Sequence, residues 1–387
     1  MTKRVLHIGV AAMFLVTATV FAGDAGRQSP LLVGAGARGI AMGGGVTSLA
    51  FDASAVYYNP ACLSLLEFQE FSIQHTQLAL STIYDYGAWV YPLSEKHGIG
   101  IGYARIGTGD IVRRAAFQDI GTFDFAESQL MFSYGQRFTW LSTGITLKIV
   151  NQSLDRFSDY GVGMGAGVSA NLGGRWRLGG IVRDIMPARI TLRDVSQKVP
   201  QTFAAGLSID RWHITPQTAL TMACDLEGSD GRSAKIHAGG EALFFGSYAV
   251  RGGYDRDNLT VGAGVRSGRL VIDYALKFQS DLSDQHSFSL SFLIGPSVAD
   301  QIKRREALRR AAVEIDPRVV LINALKDTAN SYMHQFRLDS ALAYFQKLYE
   351  LEPSNQEYLG TIAAIENAQR VQSEQEARLR AARAEQE

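Results

Sequence analysis

The sequence predicts an all-β membrane barrel of about fourteen antiparallel strands, with an N-terminal plug and a small α-helical domain after it. Three observations lead there. Apolar and polar residues alternate from Gln69 to Gly295, in segments of about ten residues that suit a tilted membrane strand. Soluble strands more often run to about five or six. Trp89, Tyr91, Trp140, Tyr160, Trp176, Tyr248 and Tyr254 stand near segment ends, as aromatic girdles do at the two membrane interfaces. The connections alternate between short and long.

Composition agrees. The 387 residues contain 39 glycines, only 9 prolines, and abundant Tyr and Phe, a usage that suits many strands with tight turns. Formal net charge is zero, so nothing points to nucleic acid or another polyanion as partner. Cys62 and Cys224 lie far apart, without metal-ligand spacing around either. A disulfide remains open in an oxidising compartment, and the simpler reading is two small apolar residues.

The chain begins with Lys3 and Arg4, then a mostly apolar run from Val5 to Ala22 that ends in small residues before Gly23. This predicts a secretory signal over 1–22, cleaved after Ala22. An uncleaved anchor helix is the alternative, since the run approaches the ~20 residues needed to span. No cysteine follows the cleavage point, and no other long apolar stretch occurs. The chain after it is then either exported and soluble, or a barrel.

The barrel is expected over 67–295. Its strands begin near Gln69, Ile83, His97, Ala126, Leu141, Tyr160, Arg175, Gln201, Thr218, Ala234, Ser247, Leu259, Arg269 and His286. Leu270, Ile272, Tyr274, Leu276 and Phe278 fall on one face, with Arg269, Asp273 and Lys277 on the other, because successive strand side chains point to opposite faces. Phe288, Leu290, Phe292 and Ile294 likewise oppose Ser287, Ser289 and Ser291. Short turns are expected near Ser94, Thr139, Gly174, Phe245 and Gly268, a slightly longer one at His213, and longer loops over 107–125, 151–159 and 184–200. Short turns face the periplasm and long loops the outside, so an even strand count returns both ends to the periplasm. Fourteen strands at ~4.8 Å spacing and ~40° tilt give a circumference of roughly 90 Å. An apolar band ~25 Å tall then covers roughly 2,200 Å². The largest apolar patch on a soluble monomer is ~300–600 Å², so lipid is the fitting solvent.

Residues 23–66 are expected to form a plug. Gly34, Gly36 and Gly39 spell the dinucleotide-binding G-x-G-x-x-G, and Asp52 stands at a suitable distance, but no strand–helix–strand unit follows, so that reading is set aside. Glycine there permits close packing and positive φ, and Asn59-Pro60 favours a tight turn. A segment just before the first strand is placed to fill a lumen that would otherwise be an aqueous hole.

The run Gly36-Ala37-Arg38, Met42-Gly43-Gly44 and Asp52-Ala53-Ser54-Ala55-Val56-Tyr57-Tyr58-Asn59-Pro60-Ala61 resembles the N-terminal signature of the FadL-like superfamily. That group includes long-chain fatty acid transporters and PorV/PorQ-type proteins. Asn59, Pro60 and Ala61 are its most specific part here, and with the strand pattern the likeness covers about residues 30 to 295. Cys62 departs from it, standing where the family often has glycine. The resemblance implies a fourteen-stranded barrel with a plug, and a route for hydrophobic molecules that are captured at outer loops and leave sideways through the wall. Ile185, Met186, Pro187, Ile190 and Leu192 form an apolar loop suited to capture. Gly98, Gly100 and Gly102 weaken one strand and are candidates for the opening. Arg105, Arg183 and Arg251 are expected on the wet face, where they could hold a carboxylate, or could instead solvate the lumen or pair with plug acids such as Asp52.

After Gly295 charges become dense and the apolar period becomes helical. Leu325, Ala329, Tyr332, Ala341, Phe345 and Pro353 match tetratricopeptide spacing, with Thr328 departing from the usual leucine. The match covers about one repeat, where three are normally needed. Flanking helices near 298–314 and 356–385 would complete or cap it, so 296–387 is expected as a periplasmic TPR-like domain that binds a partner or serves as a spacer. No catalytic motif is present, and no enzyme activity, cofactor or metal is expected. Two functions remain. One is an outer-membrane transporter of long-chain fatty acids or other hydrophobic molecules. The other is a PorV-like secretion component that docks periplasmic or secretion-machinery proteins through barrel and tail. Outer-membrane lipids are partners in both.

Overall fold

The computed structural model describes residues 31–115, 117–229, 234–280, 283–313 and 317–384. The expected signal peptide and the first residues of the expected plug lie outside them. Alternation produces long strands because backbone groups facing lipid must all be paired between neighbours, which only a closed barrel achieves. They are β1 (Gln69–Gln77), β2 (Thr82–Pro92), β3 (His97–Ala115), β4 (Gln118–Arg137), β5 (Leu141–Leu154), β6 (Phe157–Gly173) and β7 (Trp176–Met186), then a separate hairpin, β8 (Arg189–Leu192) and β9 (Val195–Lys198). The wall continues with β10 (Thr202–Thr215), β11 (Thr218–Ser229), β12 (Lys235–Phe244), β13 (Tyr248–Asp255), β14 (Asn258–Ser267), β15 (Leu270–Lys277) and β16 (Gln285–Ile294). Fourteen of these close an antiparallel barrel in chain order, and only β8–β9 stands apart. Closure joins β1 to β16, with Gln69 opposite Ile294 and Gln77 opposite His286.

The apolar face points outward. Ile145, Leu147, Ile272, Phe288 and Phe292 are exposed, while Asp273, Ser287, Ser289 and Ser291 are buried in the lumen. No helix of the described residues is long and apolar enough to cross a membrane; any crossing is made by strands.

The expected loops over 107–125 and 151–159 are largely strand. β3 and β4 pair out to Ala115 opposite Gln118, and β5 and β6 to Leu154 opposite Phe157. The β3–β4 extension is exposed on both faces, so it lacks the period-two hydrophobic signal that reveals a half-buried strand. Ion pairs brace it instead, Arg113–Asp155 at 2.7 Å and Arg114–Asp119 at 2.8 Å. The turns at 138–140, 174–175 and 268–269 are short, as expected; the one expected around His213 lies at 216–217, His213 itself being in β10.

Residues 31–66 pack inside the barrel around α1 (Ala37–Ala41), α2 (Ala55–Tyr58) and a 3₁₀ turn at Pro60–Leu65. Their core of Met42, Leu49, Val56, Tyr58 and Leu63 merges with inward wall residues Tyr84, Tyr86, Val90 and Met131. The chain divides into two compact units near Gln301. The second holds most of α3 (Val298–Val313), then α4 (Pro317–His334), α5 (Leu338–Leu351) and α6 (Gln356–Ala384). Its core joins Ala329, Ala341, Phe345, Leu348, Tyr358 and Ile365, with Leu325 and Tyr332 packed against them.

Candidate functional site

The lumen contents are fixed by close approach of two backbones. Added methyl groups on Gly98, Gly135 and Gly144 would stand within 3.0 Å of backbone atoms of Leu63 or Pro60, and on Gly239 and Gly253 within 3.0 Å of Met42 or Gly43. The wall glycines therefore serve contact with residues 31–66. The G-x-G-x-x-G spelling has the same explanation. Gly34 and Gly36 have φ of 109° and 72°, and a methyl on Gly39 would lie 2.9 Å from the Tyr58 ring.

Asn59 is the central polar anchor. It is fully buried. Its Nδ2 donates to the carbonyls of Thr47, at 2.8 Å, and Val168 on β6, at 3.0 Å, while its Oδ1 accepts from the Ala61 amide at 3.1 Å. Pro60 and Ala61 follow it into the 3₁₀ turn, Pro60 needing no amide partner there. Cys62 is buried beside them, and burial pushes its thiol up to about 12. Burial likewise pushes the Tyr57 phenol up to about 12. Neither group ionises near neutral pH.

Charge holds the opposite side. Arg38 on α1 reaches Glu241 on β12 at 2.9 Å and Asp52 at 3.3 Å. Arg251 on β13 reaches the same Glu241 and Asp273, each at 2.6 Å. His237 on β12 contacts the Gly43 carbonyl through Nδ1 at 3.0 Å and Asp255 at 2.9 Å. Both neighbours are acceptors, so Nδ1 carries a proton. Asp225 on β11 accepts from the Thr47 amide at 2.8 Å, and the Thr260 hydroxyl donates to the Ala41 carbonyl at 2.9 Å.

Toward the long-hairpin end, a cavity of about 60 Å³ lies over Leu31, Val56 and Tyr57, bordered by Met131, Ile181 and Val199. The chain between β7 and β10 folds inward beside it. Ala188 and Ile190 bury against Val150 of β5, and Val199 donates its amide to the Ala188 carbonyl at 3.0 Å. Every cation on the cavity's border has an acid: Lys148–Asp184 at 2.6 Å and Arg183–Glu227 at 3.1 Å. Beside the cavity the wall ladder is irregular. Met164 pairs with Met186 and Ala166 with Val182, so Arg183, Asp184 and Ile185 stand opposite Gly165 alone, with Asp184 at φ 59°. That is a bulge, which bends a strand and interrupts its hydrogen bonds.

Of the sequence candidates, Arg183 and Arg251 project inward and Ile190 is buried in the inward loop. Arg105 does not share their face. It lies on the exposed outer wall, because alternate β3 positions Gly98, Gly100, Gly102 and Ala104 are turned inward. Met186 is exposed opposite Met164. At Gly98, Gly100 and Gly102 the ladder to both neighbours is unbroken, and methyl groups on Gly100 and Gly102 would collide with Val56. The glycines make room for Val56 and Leu63 instead of parting the wall. Asp52 meets Arg38, and the wall arginines pair with wall acids. Sequence reasoning missed Glu227, Glu241, Lys148 and Asp184. Their only signal was a charge on the wet face of an alternating strand. Cys62 and Cys224 are both free thiols. Among the described residues no cluster of metal-ligating side chains forms.

No protein-family model matches the sequence, and no curated protein matches it. Solved structures do. The toluene transporter TbuX of Ralstonia pickettii superposes with a TM-score of 0.50 at 15% identity, covering 68% of this chain and 99% of that one. The toluene transporter TodX of P. putida gives 0.50 at 12% identity, covering 67% and 99%. A Pseudomonas aeruginosa FadL homologue gives 0.46 at 12% identity, covering 64% and 95%. What the two transporters at 0.50 share with this chain is the fold, a closed β-barrel.

Proposed function

We propose that the protein is an outer-membrane passage for small, neutral hydrophobic molecules, with its short turns and tail in the periplasm. The observation that carries this reading is the lumen cavity. Its floor and sides are largely apolar, Lys148 at its border is paired with Asp184, and Arg183 shares Glu227 with Arg256. A carboxylate entering at Lys148 would have to displace Asp184 from a partly buried pair, which costs about 3–5 kcal/mol when the partner is simply lost. A neutral solute meets no such cost, so hydrocarbons fit better than fatty acids. The known names of TbuX and TodX as toluene transporters agree in kind. The cavity is smaller than the roughly 150 Å³ that admits benzene, so entry requires its border at Val199 and Pro200 to give way. The bulge facing Gly165 is the wall segment best suited to sideways exit, in place of β3.

The test is equilibrium binding of radiolabelled naphthalene and palmitate to detergent-solubilised protein. Naphthalene should bind, and Val199→Trp, which fills the cavity, should abolish it. Preferential palmitate binding that Lys148→Met removes would overturn the neutral-solute reading. A second reading, a docking component for envelope proteins, is favoured by one observation, the appended helical unit with its own apolar core. Stoichiometric co-purification of an envelope protein, lost on deleting 296–387, would select it.

A further inference from the structure

The tail separates its charges along the chain. Residues 302–310 hold five cations, Lys303, Arg304, Arg305, Arg309 and Arg310, against the single acid Glu306. Residues 311–387 hold eight Lys and Arg against twelve Asp and Glu. The basic block belongs to α3, which starts at Val298, four residues beyond the last residue of the closing strand β16. The Val298 amide donates to the Glu67 carbonyl, just ahead of β1, at 2.9 Å, so the start of α3 is tied to the short-turn rim.

From 303 to 309 every side chain is exposed, Leu308 among them at 63%. No ion pair is made by Lys303, Arg304, Arg305 or Arg309 among the described residues. Four solvated cations on two helical turns are a poor core face and an ordinary anion-binding face. A helix rises ~1.5 Å per residue and an extended chain ~3.4 Å. The block therefore begins no more than roughly 20 Å of chain from the end of β16, whichever way α3 runs. The exposed apolar side chains Phe292 and Ile294 end the lipid-facing surface of that strand, so the nearest extended surface to the block is the bilayer's headgroup layer.

We propose that the basic block of α3 docks on anionic phospholipid headgroups of the leaflet at the barrel's short-turn end. The partner is identified by charge complementarity and by continuity with the barrel's apolar band. Basic residues immediately beside a membrane-spanning segment gain about fivefold in binding per cation near an anionic surface. The attraction fades within a Debye length, ~8 Å at physiological salt. Docking is electrostatic and without insertion, since Lys303, Arg304, Arg305 and Arg309 leave no continuous apolar stripe on the helix. It fixes where the tail starts relative to the membrane, and it rests on the barrel spanning a bilayer but not on what the lumen carries.

The test uses the full-length protein in nanodiscs of phosphatidylcholine alone, or with 40% phosphatidylglycerol, read by amide hydrogen exchange. Exchange over 302–313 should slow at least tenfold in the anionic discs and recover in 0.5 M salt. The quadruple variant Lys303→Glu, Arg304→Glu, Arg305→Glu, Arg309→Glu should show no lipid dependence, while exchange across β1–β16 stays at the parent level and reports an intact barrel. Equal exchange in both discs, or the same slowing in the quadruple variant, overturns the proposal. Failure of the chain to enter discs overturns it together with the membrane reading, whereas absent solute binding leaves it standing.

Discussion

Replacing Asn59 by alanine tests whether residues 31–66 seal the barrel. The side chain makes three hydrogen bonds, to Thr47, Val168 and Ala61, in a fully buried site. A hydrogen bond contributes about 1 kcal/mol net, and a stranded buried partner costs about 1–3 kcal/mol. Two carbonyls and one amide lose a partner together, so the sealed state should lose about 3–5 kcal/mol. At 1.4 kcal/mol per decade, the open population rises roughly 140- to 3,700-fold. The assay is ion conductance of single barrels in planar bilayers, beside thermal unfolding in detergent. The parent should be almost silent and Asn59→Ala should show frequent openings. Asn59→Asp keeps the acceptor for Ala61 but turns an oxygen toward the Thr47 and Val168 carbonyls, so it should open at least as often. Parent-like conductance in both variants, with an unchanged unfolding midpoint, would refute the reasoning.

Other outcomes follow from the same geometry. Gly98→Ala should destabilise the barrel by about 1–3 kcal/mol, as overpacking does, because its methyl meets the Leu63 backbone. Gly107→Ala, whose methyl would find only ordinary contact at 3.6 Å, should be close to neutral in the same unfolding experiment; equal effects would show that the β3 glycines have another purpose. Arg251→Ala should cost about 3–5 kcal/mol by leaving Glu241 and Asp273 buried without their shared partner, and the double change Arg251→Ala with Asp273→Ala should recover part of it. Cys62 should resist iodoacetamide at pH 8 in the folded protein, since only thiolate reacts and its thiol is pushed up to about 12. Modification at pH 8 with circular dichroism unchanged would contradict that burial. Phe345→Ala, a core side chain of the second unit, should cost about 3–5 kcal/mol and expose 317–384 to proteolysis while β1–β16 stay resistant.

Legibility in the sequence followed physical contrast. Strands with lipid on one side and polar groups on the other, such as β15 and β16, announce themselves by alternation, and their starts fall within a residue or two of the expected Arg269 and His286. Where both faces meet water, as in the outer half of β3 and β4, the contrast vanishes and strand reads as loop. Lumen pairing was less legible still. Arg105 and Arg183 look alike in sequence, yet their faces differ. A one-residue change in phase reverses every side chain, and the glycine-rich β3 offers few bulky residues to set that phase. The β3 glycines illustrate a second limit. A strand glycine signals either weakness or close approach, and only the position of Val56 and Leu63 decides for the latter.

The two sides of the lumen packing differ in chemistry, and this bears on how an opening could occur. Against β3–β6 the contact is mainly backbone on glycine, with Pro60 and Leu63 set against Gly98, Gly135 and Gly144, and the hydrogen bonds, Asn59–Val168 and Ser64–Ser142, are uncharged. The glycine contacts are short-ranged, and a radial gap of 0.5–1 Å already forfeits about a quarter to a half of the dispersion well. Against β11–β14 backbone again meets glycine, at Gly239 and Gly253, but ionic and hydrogen-bonded contacts are added, through Arg38–Glu241, His237–Gly43, Asp225–Thr47 and Thr260–Ala41. These decay more slowly and can be bridged by water as they lengthen. A small outward swing would thus break the glycine side abruptly while the charged side still held. Residues 31–66 would then pivot about Arg38 and Gly43 without leaving the lumen. A disulfide from the paired changes Ser64→Cys and Ser142→Cys, whose hydroxyls lie 3.0 Å apart, should therefore abolish the openings of Asn59→Ala. Neutralising Glu241 by Glu241→Gln should instead loosen the pivot and prolong them.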